Sequence, residues 1–297
     1  MKWFPIPPVD FVLMPAMMLA FGLLLWLQAR SPLRRPRTAT VRRVLRNIGV
    51  SLPMFVLFRL LLIPVPLLVA LFTETEQIGL LRWLLPDTTA GAWLNGLLGF
   101  VIFDYSYYWW HQATHYWPPF WRFHNVHHTD LDMDVSTAVR FHFLDMLIST
   151  VFRAGLVLAF GLGFWTVLAY EFCFELATQF HHSNWRLPER LERALNYVIV
   201  TPRMHGIHHS IIHDETNANW GTVLSVWDRL HGSHRQDIPQ DAVDIGVPAY
   251  RDETELTWKR LLTMPFGPQR DWQLPTGERP ETRRNDGPPN RRTVGPP

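Results

Sequence analysis

Apolar positions along the chain gather into long stretches. Phe11 to Ala29 is 19 residues without a charge. At 1.5 Å per residue it reaches roughly 28 Å, about the thickness of a bilayer core. Ile48 to Phe72 comes next, interrupted only by Arg59, with Pro53, Pro64 and Pro66 as expected kinks. It ends at the polar Thr73-Glu74-Thr75-Glu76-Gln77. Thr88 to Trp110 is a third run, with Asp104 inside it. Met146 to Phe180 would be roughly 50 Å of helix, too long for one crossing. Gly161-Leu162-Gly163 near its middle marks a turn, so it reads as a helical hairpin. The pattern predicts an all-α integral membrane bundle of about four spans, plus or including the hairpin.

Charge orients these spans. Arg30, Arg34, Arg35, Arg37, Arg42, Arg43 and Arg46 come after the first run with no acid among them. A signal peptide carries its basic residues before the apolar run. The order here predicts a retained helix whose C-terminal end faces the cytoplasm. Span two then ends outside, span three ends inside at His111, and the hairpin leaves and returns inside. Arg59, Arg153, Glu171 and Glu175 are expected to face other helices, because charge facing lipid is costly. Beyond Phe180 the chain is polar and mixed, which predicts a helical cytoplasmic cap to about Phe266. The expected divisions are 1–90 for the first spans and basic loop, 91–266 for a catalytic domain, and 267–297 for a disordered tail. Residues 268–297 hold seven prolines, too many to build a core.

Composition narrows the class. Hydrophobic residues are 47% and charged residues 18%, below the usual quarter for soluble domains, so a simple soluble enzyme is disfavoured. A net charge of +2 gives no basis for nucleic-acid binding. Cys173 is the single cysteine, which excludes an intramolecular disulfide framework and any cysteine-rich zinc or iron–sulfur site.

Histidine carries the chemistry. All 14 lie between His111 and His234. His111 and His115 are four apart where span three continues, on one helix face. His124, His127 and His128 form an H-x2-H-H cluster after Pro118-Pro119, a helix start. His205, His208 and His209 repeat it after Thr201-Pro202, read as an N-cap followed by proline at the first helical position. In each cluster the spacing is expected to converge three imidazoles on one side of a short helix. At this histidine frequency one such cluster is expected on the order of 0.03 times per chain, so two are not background. His182, or its neighbour His181, adds a further candidate, and Asp104, seven residues before His111, is placed to orient that ligand. His111, His115, His124, His127, His128, His182, His205, His208 and His209 are nine candidate ligands. A four-coordinate ion needs four, so nine imply two metals, and imidazole suits iron, zinc, copper or nickel.

Other chemistries lack their residues. There is no H-E-x-x-H, no Glu-x-x-His, no G-x-S-x-G, no G-x-G-x-x-G and no Walker loop. Reducing power would therefore come from another protein. A divalent-metal transporter or metal-binding membrane protein is the alternative class, but transport sites lie near the bilayer midplane, whereas these clusters come after the spans.

The clusters, in this order beside membrane spans, resemble the fatty acid hydroxylase / sterol desaturase superfamily over roughly residues 95–235. Asp104-Tyr-Ser-Tyr-Tyr-Trp-Trp-His111-Gln-Ala-Thr-His115 resembles its first histidine box and Trp121-Arg-Phe-His124-Asn-Val-His127-His128 its second. His182-Ser-Asn-Trp-Arg-Leu-Pro188 resembles the segment with an isolated ligand, and Thr201-Pro-Arg-Met-His205-Gly-Ile-His208-His209-Ser210 the third box. Asn219-Trp-Gly221 and Trp227-Asp-Arg-Leu230 resemble the family's residues C-terminal to that box. The resemblance implies a membrane enzyme with two iron ions that uses O2 on a lipid C–H bond; zinc, high in the divalent affinity series, is expected as a substitute. Electrons would come from a reductase with a ferredoxin- or cytochrome-type carrier. Arg140-Phe-His142-Phe-Leu-Asp145 departs from the family's Arg-Phe-His-Pro-Leu-Glu, which leaves His142 behind the ligands or beside the substrate. His213, His231 and His234 read as surface or packing residues. Trp109, Trp110, Trp117 and Trp121 are expected at the membrane interface.

Overall fold

The computed structural model describes residues 9–57 and 61–283, and Arg59 lies outside them. The described residues are helical, with isolated β-bridges and no strand. A short π-turn at Val9–Leu13 leads into α1 (Met14–Arg30). The second apolar run divides into α2 (Thr40–Leu57), which begins well before Ile48, and α3 (Pro64–Thr75), which starts on its own proline. The short α4 (Leu80–Leu84) precedes α5 (Thr89–Tyr116), a 28-residue helix of roughly 42 Å. Thr88 caps α5 by accepting from the amide of Gly91 at 3.1 Å.

α7 (Phe143–Phe160) and α8 (Phe164–His182) form the expected hairpin. Gly161 closes α7 in the left-handed region at φ 67°, where its amide reaches the carbonyl of Val157. A Cβ there would lie 2.6 Å from the carbonyl oxygen of Ile78, so both the dihedral and the space require glycine. α5 packs on α8 through aromatic rings, Phe103 stacking on Tyr170 with centroids 4.5 Å apart. Leu162, Val157 and Val167 fill the same core.

Two helices, Phe11–Arg30 and Phe143–Phe160, are long and apolar enough to cross a membrane, and most of each is unburied. Large apolar side chains stand exposed on several of these helices, among them Leu19 and Trp26 on α1, Leu68 on α3, Trp93 and Leu97 on α5, and Val151 on α7. That much exposed apolar surface is foreign to a monomeric soluble protein and fits a membrane protein.

The remaining elements form a polar cap over one end of the bundle: α6 (Pro118–His128), a 3₁₀ turn at Val135–Val139, α9 (Glu189–Asn196), α10 (Pro202–His208), α11 (His213–Thr216), α12 (Val226–His231) and α13 (Trp258–Thr263). Pro118-Pro119 starts α6 as the sequence indicates. Thr201 sits at the N-cap of α10, but its hydroxyl faces Asn196 and not the helix amides. Buried Arg43 and Arg140 tie the cap to α2. Arg43 pairs with Asp130 at 3.0 Å and with Asp134, while Arg140 donates to Asn47 at 2.7 Å and to the carbonyl of Val126 at 2.9 Å.

The expected disordered tail needs a correction at its start. Trp272 donates its indole N–H to the carbonyl of Ile211 at 2.9 Å, and Arg283 pairs with the buried Glu215 at 3.2 Å. The Trp272 ring and the Arg283–Glu215 pair hold residues 268–283 against the cap despite their prolines. The rest of that tail, 284–297, lies outside the described residues.

Candidate metal centre

All nine candidate histidines converge where the C-terminal ends of α5 and α8 meet α6 and α10. They form two groups: His111, His115, His124, His128 and His208, and His127, His182, His205 and His209. Within each group the ligand nitrogens lie within 4.8 Å of one another. The clusters are split by helix geometry instead of converging three to a side. Partners four apart stay together, as in His111/His115, His124/His128 and His205/His209. The third member of each triplet crosses over: His127 joins the group of His205, and His208 joins the group of His124.

Each group is held from behind. His111 Nδ1 donates to the carbonyl of Trp220 at 3.0 Å, His208 Nδ1 to Ala218 at 2.8 Å and His182 Nδ1 to Thr178 at 2.7 Å. His124 Nδ1 donates to Asp145 Oδ2 at 3.1 Å. A histidine that donates from Nδ1 presents a lone pair at Nε2, so these four are oriented as ligands. Burial, reinforced by neighbouring imidazoles, pushes His127, His128, His205, His208 and His209 well below the ordinary histidine pKa, so they are neutral and able to ligate at physiological pH.

The residues fit metal ions. His124 Nε2 and His208 Nε2 are buried without a hydrogen-bond partner. Nε2 atoms of different histidines approach closely: His115 and His128 at 3.1 Å, His127 and His182 at 3.0 Å, His182 and His205 at 3.0 Å, His205 and His209 at 3.2 Å. Nitrogens bound at ~2.1 Å to one ion stand about 3.0 Å apart at right angles and about 3.4 Å apart in a tetrahedron. The observed spacing is that of nitrogens able to share one ion.

Asp104 does not touch His111. It accepts from Trp227 Nε1 at 2.8 Å, from the amides of Val223 and Leu224, and from the hydroxyls of Tyr170 and Thr222. It anchors the loop whose Trp220 carbonyl orients His111, so its effect is one step removed from the expected one. Trp220 is fully buried and closes the first group, with its ring centroid 4.7 Å from that of His115. Asp145, which in sequence is only a shortened acid in the Arg140–Asp145 segment, is the partner of His124.

The other histidines belong to neither group. His142 caps α7, accepting from the amide of Leu144 at 3.2 Å, while Nε2 bonds the carbonyl of Leu262. Both its nitrogens are engaged, so it serves the scaffold. His181 is buried with its ring 4.1 Å from that of His205, yet belongs to neither group. His231 stacks among Tyr105, Tyr108 and Trp109, His234 bonds Asn196, and His213 is exposed. Trp117 is exposed, whereas Trp121 packs on His115 and His128.

Gly206 is next to His205 on α10. A Cβ there would stand 2.1 Å from Nη1 of Arg34, which is buried and bonded to Gln240 Oε1 at 2.5 Å. The chain after α1 thus packs directly on the backbone of the third cluster.

A cavity of about 460 Å³ opens beside the histidines. Residues of α1, α2, α3, α5, α7 and α8 line it, Met14, Phe21, Leu67 and Phe172 among them, together with His111, His124, His127, His182 and His205.

The family model described as fatty acid hydroxylase matches residues 96–233, the segment carrying all nine histidines. Residues 96–233 of the chain belong to the fatty acid hydroxylase superfamily. Among curated proteins it is 31% identical over 157 residues to ornithine lipid hydroxylase OlsE of Rhizobium tropici, covering 51% of this chain and 45% of that one. It is 30% identical over 151 residues to alkylglycerol monooxygenase of Homo sapiens, covering 50% and 32%. It is 25% identical over 153 residues to very-long-chain aldehyde decarbonylase GL1-5 of Oryza sativa subsp. indica, covering 49% and 24%. The matches thus span less than half the length of each of these relatives. No solved structure matches the chain.

Proposed function

We propose that the chain is a membrane-bound, O2-dependent oxygenase that hydroxylates or desaturates a C–H bond of a lipid, with two iron ions held by the nine histidines. The observation that carries this reading is the pairing of two polyhistidine groups with a largely apolar cavity whose wall they share. Two of the relatives are, by name, a lipid hydroxylase and an alkylglycerol monooxygenase, which supports the same reaction class.

Iron bound here would supply O2 activation, with electrons from an external carrier protein. The chain's own residues do the rest. Three backbone carbonyls and Asp145 fix the imidazoles, so geometry is retained between turnovers. Trp220 and the buried cap exclude water from the reacting centre. The cavity wall lays an alkyl chain against His111, His127 and His182 and so selects which carbon is presented. This fixed, backward-anchored arrangement supports an enzyme over a metal transporter, whose ligands must release their ion.

The exposed apolar surface of the helices supports a multi-pass membrane protein. The arginine-rich stretch after α1 supports a cytoplasmic position for the histidines. Comparing membrane lipids of an aerobically grown host with and without the gene tests the function. The expected result is a lipid gaining one oxygen or losing two hydrogens. Identical lipids in both, with the protein present and iron-loaded, would remove the reading.

A further inference from the structure

The cavity is largely apolar, with polar side chains on its α7 and α8 walls. There α8 presents Glu171, Glu175, Gln179 and His182 at spacings of three and four residues, so they share a helix face. Glu175 lies about 10 Å and Glu171 about 16 Å along the helix from His182. Arg153 and Ser149 on α7 face them across the same space.

Their hydrogen bonds do not balance. Arg153 donates to Glu171 Oε2 at 2.5 Å and to Thr150 Oγ1 at 3.3 Å. Gln179 donates to Glu175 Oε1 at 3.2 Å. The hydroxyls of Tyr107 and Ser149 bond each other at 3.0 Å. Glu171 Oε1 is left buried without a donor, and so is Oε1 of Gln179, a residue only 4% exposed. Arg153 Nε is also left over, while its other nitrogens already serve Glu171 and Thr150. Among the described residues, Glu171 and Gln179 thus each keep a buried acceptor open on the cavity wall. Buried polar groups cost free energy unless paired, and a tunnel for a plain alkyl chain would be better lined by leucine. Ionisable residues kept at such depth mark a ligand path.

We propose that Glu171, Glu175 and Gln179 form a subsite that accepts hydrogen bonds from a hydroxyl or amine carried by the lipid, about 5–16 Å along α8 from His182. The substrate is then a long-chain lipid bearing a hydrogen-bond donor, and a carboxylate is repelled. This deepens the oxygenase reading of the cavity and rests on it for the word substrate, but the subsite itself is tested by binding.

The probe is tritiated hexadecanol on the iron-loaded full chain in nanodiscs, with empty nanodiscs subtracted. Hexadecanol and hexadecylamine should compete roughly tenfold better than methyl hexadecyl ether or hexadecanoate. That advantage should vanish in Glu175→Leu and Gln179→Leu. Equal competition by alcohol and ether in the unaltered chain would overturn the subsite without needing any variant to fold, and so would an advantage that survives both substitutions. If the donor preference holds but no lipid is oxidised with O2 and an electron carrier, the oxygenase reading falls and the subsite stands. If alcohol and ether bind and are oxidised alike, the subsite falls alone.

Discussion

Asp145 Oδ2 accepts the Nδ1 proton of His124 at 3.1 Å, with both side chains buried at the start of α7. A carboxylate behind a ligand imidazole fixes its tautomer and raises its basicity. Asp145→Ala is expected to weaken iron binding at the first group by roughly 10- to 100-fold. Iron titration with chelator competition measures it, and unchanged affinity would make the contact incidental.

The two groups share the helices α6 and α10, so one substitution should not spare the other group entirely. His208→Ala is expected to lower iron from two ions towards one and to abolish activity, while the protein stays in the membrane because its apolar helices do not depend on metal. Metal analysis of membrane-extracted protein checks this. His231→Ala, altering a ring that packs on Tyr105 and Tyr108, should leave iron content unchanged.

Gly161 lies at the far end of the hairpin from the histidines. Gly161→Ala forces an L-residue to φ 67° and sets a methyl 2.6 Å from the Ile78 carbonyl oxygen. The expected loss is about 1–3 kcal/mol of stability, with iron stoichiometry intact in the folded fraction. Thermal unfolding beside metal analysis separates the two effects.

The reaction proposed here needs a redox-active metal at the histidine groups. Zinc-loaded protein is expected to retain the fold yet show no O2 consumption with an electron carrier, and iron exchange should restore it. O2 consumption by the zinc form would contradict the requirement for a redox metal.

Pro118, Pro202 and the Gly161-Leu162-Gly163 turn mark helix ends in the sequence where the structure has them, because proline and glycine act locally. The nine histidines are visible in the chain as clusters, but their division is not. Which of three imidazoles on a helix turns towards which neighbour depends on how α6 and α10 dock, a long-range packing outcome. The supports behind them are equally hidden. Carbonyls of Thr178, Ala218 and Trp220 carry no side-chain signature, and Asp145 is one acid among 26 Asp and Glu until α7 places it beside His124. The second apolar run is the least legible of the hydrophobic stretches. α2 starts within the arginine-rich stretch and α3 starts on Pro64, so the run's apolar limits are not helix limits.

The source of product oxygen tests the central claim most directly. The purified, iron-loaded chain in nanodiscs, given a reductase, its carrier and a lipid on which turnover has been observed, should be run under isotopically labelled O2. The account predicts a hydroxylated lipid carrying the label from O2, or an alkene formed only when O2 and electrons are present. A product whose oxygen comes from labelled water, or one formed equally well without O2, would contradict it.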